Sequence, residues 1–212
     1  MQSAVYTVIV DNAFSADMSA QLSDYVTHHA DMSTQLLCNQ LKKQFAAIKE
    51  CSARLYADGT CALAIVAKKP LIKLSSDIVL THEGTSTELA LWNAKAVADL
   101  ATITIKQSFA ESDGKALAAY IKSMPPHYFQ HYDICWNNKH EISFYDKERK
   151  IFFLSDITTM PDDSFCQSLN EIISGMEIVK NKKQKQLVAD IRFERQLIIY
   201  EKRGAYHGNS IF

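Results

Sequence analysis

His127, His131 and Asp133 are the residues whose types and spacing come closest to metal chemistry. Two imidazoles at i and i+4 share one ion when the stretch between them is helical, and a nearby carboxylate supplies a third ligand. This stretch follows Pro125-Pro126 and reads as a strand, where ~3.3 Å per residue sets the two rings about 13 Å apart. No metal site is therefore expected. A looser grouping of His131, Asp133 and Trp136 could serve a small enzyme assembled from scattered residues, a reading the sequence leaves open. His28-His29 reads as a solvated helix end rather than a ligand pair.

Other chemistries lack their motifs. The glycines are Gly59, Gly84, Gly114, Gly175, Gly204 and Gly208, with no G-x-G-x-x-G and no G-x-x-x-x-G-K-[ST] to cradle phosphate on backbone amides. There is no G-x-S-x-G elbow, and no cysteine sits in a motif that a histidine activates. The expectation is no catalytic residue, no cofactor and no small-molecule substrate. Against 23 basic residues stand 24 acidic ones, a formal net charge of -1, so no overall field gathers nucleic acid or anionic lipid. Lys180, Lys182, Lys183 and Lys185 read as a hydrated turn. Tyr6, Tyr56, Phe144 and Phe152 read as core or sheet face, since a stacking platform for single strands needs basic neighbours.

Cys38, Cys51, Cys61, Cys135 and Cys166 form no C-x-x-C pair and are expected as free, partly buried thiols. A Cys51–Cys61 bridge is out of register. With Asp58-Gly59 as a two-residue turn, Tyr56 lies across from Cys61 and Val66 across from Cys51.

These residues must be positioned by regular elements, and the 212-residue chain, 47% hydrophobic, is long enough for two small domains. Val5–Val10 reads as a strand. Ser15 caps a helix with Met18, Leu22 and Val26 on one face, and a second helix after Ser33 carries Leu37, Leu41 and Phe45, ending near Ala46. A hairpin, Ile48–Ala57 and Thr60–Lys68, follows until Pro70 stops its ladder, and Ile78–Thr81 is a further strand. The second half begins with a strand at Thr102–Ile105 and a helix capped by Asp113, with Leu117, Tyr120, Ile121 and Met124 on one face. Strands at His127–Trp136, Glu141–Tyr145 and Lys150–Leu154 come next, joined at Asn137-Asn138 and Asp146–Arg149. A helix from Asp162-Asp163 packs through Phe165, Leu169, Ile172, Ile173 and Met176. Strands Gln186–Phe193 and Gln196–Lys202 close the chain. The class is α+β. Residues 1–85 form one domain and 86–204 a largely antiparallel second, with 205–212 a disordered tail.

The longest apolar runs, such as Ala62–Ala67, fall far short of the ~20 residues a membrane helix needs. The opening MQSAVYTVIV lacks the basic n-region and long apolar core of a secretory signal, so the chain reads as cytosolic or as a trimmed piece of a longer protein.

Several stretches resemble the extracytoplasmic part of the FtsQ/DivIB cell-division family, a POTRA domain followed by a so-called β domain. LKKQFAAIKECSARLYADGTCALAIVAKKPLIKL, Leu41–Leu74, is similar to the POTRA pattern of a helix, a "P-x-I/V" lead-in, two strands with a tight turn and an "E-R-x-P" stop. Phe45-Ala46-Ala47-Ile48 holds the lead-in without its proline, and Lys68-Lys69-Pro70 stands at the stop. VLTHEGT is similar to the strand ending in Asp-x-x-Gly before the β domain, and VADIRFERQLIIYEKRG to the closing "D-L-R-F…Q-V-V-V". The resemblance runs from about Val5 to Gly204. It implies a POTRA-like first domain and a β domain in a non-enzymatic divisome scaffold. Such a scaffold sits on the extracytoplasmic face of the bacterial inner membrane, held by one membrane helix absent from this chain, and gathers other single-pass division proteins.

A strand at the end of the chain is expected at a sheet edge, where it can accept a partner's strand. Gln196, Leu197, Ile198, Ile199, Tyr200, Glu201, Lys202 and Arg203 are the expected docking residues, and the resemblance points to the same strand. A third reading, a POTRA-bearing factor for membrane-protein assembly, fits less well, because that class strings several such modules before a barrel.

Overall fold

Tyr6–Val10 forms β1, with exposed Thr7 and Ile9 alternating with half-buried Tyr6, Val8 and Val10. The structure, a computed structural model, describes residues 6–57, 60–106, 111–148, 150–158, 167–176, 187–192 and 198–201. It is mixed α+β, and the chain divides into two units, Met1–Leu100 and Ala101–Phe212.

In the first unit, the Ser15 hydroxyl accepts from Met18 N at 3.2 Å and opens α1, Ala16–His28, which buries Met18, Leu22 and Val26. Thr34–Gln44 forms α2 and buries Leu37, Cys38 and Leu41, while Lys42 and Lys43 face water. β2, Ile48–Leu55, and β3, Cys61–Ala67, complete a sheet of order β1-β3-β2, with β3 parallel to β1 and antiparallel to β2. Asp11 ties the ends of β1 and β3 together, its carboxylate accepting from Ala13 N at 3.0 Å and Ala67 N at 3.1 Å. Leu37, Leu41, Leu63 and Ile65 meet in one core with Phe45 packed against it.

One expectation is corrected here. Leu55, not Tyr56, stands opposite Cys61, and Tyr56 N donates to Thr60 O at 2.9 Å, so the hairpin connection is one residue longer than a two-residue turn. Asp58 and Gly59 lie outside the described residues. The one-residue shift exchanges the faces of β2. Cys51 pairs with core residue Ile65 instead of exposed Val66.

The β2–β3 ladder stops at Ala67, ahead of Pro70, and Pro70 itself begins a strand the sequence pattern does not announce, β4, Pro70–Leu74, opposite Thr81, with an irregularity before Ile72. The first residue of a strand is where a missing N–H is tolerated. β4 pairs with β5, Ile78–Thr81, which pairs with β6, Ser86–Glu88. Gly84, at φ 79°, makes the turn between β5 and β6, a backbone angle that favours glycine.

The first unit also continues past residue 85, to Leu100. A 3-10 turn, Leu89–Leu91, leads to Trp92, and Asn93 caps α3, Ala94–Val97. Trp92 bridges back to Phe14, their rings stacked at 6.0 Å, while Ser15 N donates to Leu91 O at 2.9 Å and Asn93 N to Ala13 O at 2.8 Å. The Trp92 indole donates to Thr87 Oγ1 at 3.0 Å, and that hydroxyl donates to Val79 O at 3.2 Å, so the buried indole N–H is satisfied.

The second unit begins with β7, Thr102–Ile105, and α4, Glu111–Ser123, which buries Leu117, Tyr120 and Ile121, with Met124 buried just beyond its end. Asp113, expected as its cap, lies inside the helix. The stretch expected as the start of a strand at His127 is helical, forming α5, Tyr128–His131, and β8 begins only at Tyr132 and runs to Asn138. Pro125 and Pro126 end α4 but leave the following residues free to turn: Tyr128 N donates to Pro125 O at 3.0 Å and Phe129 N to Pro126 O at 3.3 Å.

β9, Glu141–Asp146, and β10, Ile151–Asp156, follow, with Asn137 and Asn138 inside β8 and the turn at Lys139-His140. Residues 167–176 are α6, with Leu169, Ile173 and Met176 buried. β11, Leu187–Asp190, and β12, Ile198–Glu201, end the described chain. The order is β12-β11-β10-β9-β8-β7, with β7–β8 and β10–β11 parallel and the other pairs antiparallel. Asp162, Asp163, Phe165, Cys166, the Lys180–Lys185 run and residues 205–212 lie outside the described residues. Among those described, no helix is long and apolar enough to cross a membrane.

Two outcomes follow from this packing. A fragment ending at Leu100 is expected to unfold cooperatively in urea, followed by Trp92 fluorescence and circular dichroism, while one ending at residue 85 loses the Trp92 plug and melts without a sharp transition. Leu41→Ala, at a fully buried position, is expected to cost about 2–5 kcal/mol in chemical denaturation, and unchanged stability would contradict the helix placement.

Candidate functional site

Of the expected docking residues, Ile198, Ile199, Tyr200 and Glu201 form β12, while Gln196, Leu197, Lys202 and Arg203 lie outside the described residues. β12 ends the strand order, and β11 is its neighbour. Ile198, Ile199 and Tyr200 are 45%, 40% and 44% exposed. Successive strand residues point to opposite faces, so the edge shows apolar surface on both sides.

Pairing places Val188 opposite Tyr200, Phe152 opposite Val188, and Tyr145 opposite Phe152. This line crosses four strands on one face, and the Tyr145 and Phe152 rings lie 4.4 Å apart. The adjacent line runs from Ser143 through Leu154 and Asp190 to Ile198. Together they floor an open cleft of ≈ 380 Å³ lined by Phe152, Leu154, Val188, Ser143 and Tyr200, with Lys106, Asn137, Asn138 and Glu141 also in its lining. That volume is at the low end of the ~300–1,000 Å³ of small-molecule sites, and it suits one or two side chains of an extended segment.

One end of the cleft is braced by ions. Arg192 Nε donates to Asp190 Oδ1 at 2.9 Å and its Nη2 to Asp190 Oδ2 at 2.5 Å, and Nη1 pairs with Glu141. Asn137 donates to the other Glu141 oxygen at 2.7 Å. A planar guanidinium matches carboxylates in this bidentate way, and it satisfies Asp190, which is only 4% exposed. The Arg192 hydrogen bonds hold the Asp190 carboxyl below its ordinary value, outweighing the opposing effect of burial. Partial burial, and then the Asp190 charge, push the Tyr200 phenol up. Asp190, Arg192 and Glu141 were not singled out from the sequence. The D-x-R spacing was the available signal, because residues two apart on an extended chain share a face.

The other candidates do not assemble. His127 and His131 do approach, with ring centroids 6.3 Å apart, because the turn is helical rather than extended. Asp133, however, pairs with Lys147, and Trp136 lies on the opposite face of β8 at 1% exposure. Among the described residues no group of three His, Cys, Asp or Glu side chains is placed to hold a metal ion. His28 Nδ1 lies 2.7 Å from Asp24 O, and His29 stacks on Tyr25 at 4.1 Å, so the pair finishes its own helix. Tyr6 reaches Met32 O at 3.5 Å, Arg54 lies over the Tyr56 ring, and Phe144 is fully buried. No protein-family model matches the sequence, and no curated protein matches it.

The ion network yields a pH dependence of known sign. A carboxyl whose folded pKa is depressed contributes stability above its unfolded value, about 3.9, and loses it as pH falls through the lower folded value. Arg192→Ala is expected to cost roughly 1–3 kcal/mol near neutral pH and to raise the Asp190 titration midpoint, read by carboxyl-carbon NMR. An Asp190 midpoint unmoved by Arg192→Ala would mean another group holds it down.

Proposed function

We propose that this chain is a non-enzymatic docking scaffold that receives an extended segment of another protein alongside β12. By the resemblance of its quoted stretches, that protein is a single-pass component of the bacterial cell-division machinery on the extracytoplasmic side. The observation that carries the reading is the terminal place of β12 in the strand order, with Ile198, Ile199 and Tyr200 exposed on both faces. An added strand gains main-chain hydrogen bonds along β12, and alternate side chains choose the partner. On the face shared with Val188 and Tyr200, such a side chain meets Tyr200 directly, with Val188 one strand further in. An apolar residue facing Tyr200 fits that surface.

Along an antiparallel strand the N–H groups alternate between the paired neighbour and the open side, so Ile199 and Tyr200 present theirs oppositely. Ile199→Pro and Tyr200→Pro are therefore expected to behave differently. One removes an outward donor and weakens capture of the extracytoplasmic parts of single-pass division proteins at least tenfold, with the fold retained. The other disrupts pairing to β11 and lowers thermal stability. If both variants fold and bind like the parent, docking is elsewhere. If no division protein binds the parent chain, the assignment to that machinery fails.

A further inference from the structure

The strongest unassigned chemistry in the molecule is a pair of thiols in the first unit. Cys38 sits on α2 beside Leu37 and is buried; Cys51 sits on β2 and is half-buried. The hairpin register brings them together. Because Cys51 pairs with core residue Ile65, its side chain points toward the helices, whereas pairing with Val66 would have turned it to solvent. The Cys51 thiol donates to Cys38 Sγ at 2.8 Å. Among the described residues no further His, Cys, Asp or Glu joins the two in a ligand set, so the pair has the makings of a bridge rather than of a metal site.

We propose that Cys38 and Cys51 are an oxidation site that closes into a disulfide joining α2 to β2 when a disulfide oxidant is present. Half-buried Cys51 is the accessible partner. Its thiolate attacks one sulfur of a small disulfide RS–SR, forming Cys51–S–SR and releasing RS⁻, which takes up the proton Cys51 lost. Cys38 then loses its proton, attacks Cys51 Sγ and expels the second RS⁻, which is protonated in turn. Two protein thiols are oxidised and one disulfide is reduced to two thiols.

The sulfurs need to close by less than an ångström to reach a bond of about 2.05 Å. Burial, and then the Cys38 neighbour, push the Cys51 thiol up to about 12. A thiol of high pKa attacks slowly and is also a poor leaving group, so the bridge forms slowly without a catalyst and resists reduction once made. The step suits an oxidising compartment, where such bridges persist. It does not depend on docking at β12.

The test uses the full chain, fully reduced, freed of reductant and incubated with glutathione disulfide, with remaining thiols alkylated before non-reducing peptide mapping. The expected product is one linked peptide pair joining Cys38 and Cys51, with Cys61 and Cys135 still alkylated, and a thermal midpoint several degrees above that of the reduced protein. Cys38→Ser is expected to leave a lasting glutathione adduct on Cys51 and no midpoint gain, and Cys38→Ala serves if the serine variant does not fold. A lasting adduct on Cys51 in the parent chain, a bridge between other cysteines, or no oxidation at these two positions would overturn the proposal.

Discussion

A parallel strand pair cannot be joined by a tight turn, and this constraint arranges both units. The chain must leave the sheet, cross one face and return, which takes a dozen or more residues and usually a helix. In the first unit β1 and β3 are parallel, and α1 and α2 lie in the intervening chain before β2 adds antiparallel to β3. In the second unit α4 lies between β7 and β8, and α6 between β10 and β11. The steps from β7 to β8 and from β10 to β11 move the same way along the strand order, and β8 and β10, each antiparallel to β9, point the same way. Right-handed crossovers then put both helices on one face. Burial agrees. Trp136, Ile142, Phe144, Ile151, Phe153 and Ala189 share that face and are almost fully buried, and the Tyr120 hydroxyl of α4 comes beside Ser155 on it. The cleft belongs to the opposite face.

How much of this was legible depends on the range of the interaction that decides each feature. Helix faces are local, so Met18, Leu22 and Val26, or Leu117, Tyr120 and Ile121, could be read from spacing alone. So could the Ser15 cap and most strands. Hairpin register is set by one residue of turn length, and the residues of the β2–β3 connection fit either a two-residue turn or a longer one. The choice decides whether Cys51 meets solvent or Cys38. His127–His131 is helical against its sequence pattern, since Pro-Pro normally breaks helices, yet a proline carbonyl can still accept the first bonds of a new turn. The tie between Phe14 and Trp92 joins residues far apart in sequence, which no local pattern announces. The ion network was partly visible. Asp190 and Arg192 are near neighbours, but Glu141 joins them only through the sheet.

An edge strand with apolar residues on both faces invites unwanted pairing, and proteins blunt such edges with charge, short length or cover. Among the described residues β12 spans Ile198–Glu201, with no charge in its middle, and the ion cluster at Asp190–Arg192 precedes it in the chain. Those ions act one strand inward. By fixing Arg192 between Asp190 and Glu141 they link the end of β11 to β9 across β10, holding the strand on which β12 rests. A template held in place loses little freedom when another strand is added, so more of the main-chain bonding appears as affinity. The arrangement therefore separates two tasks: a buried carboxylate, a half-buried one and a guanidinium brace the strand beneath, and Ile198, Ile199 and Tyr200 stay exposed at the edge. In the proposed docking, a partner strand would cover that surface without disturbing the ions.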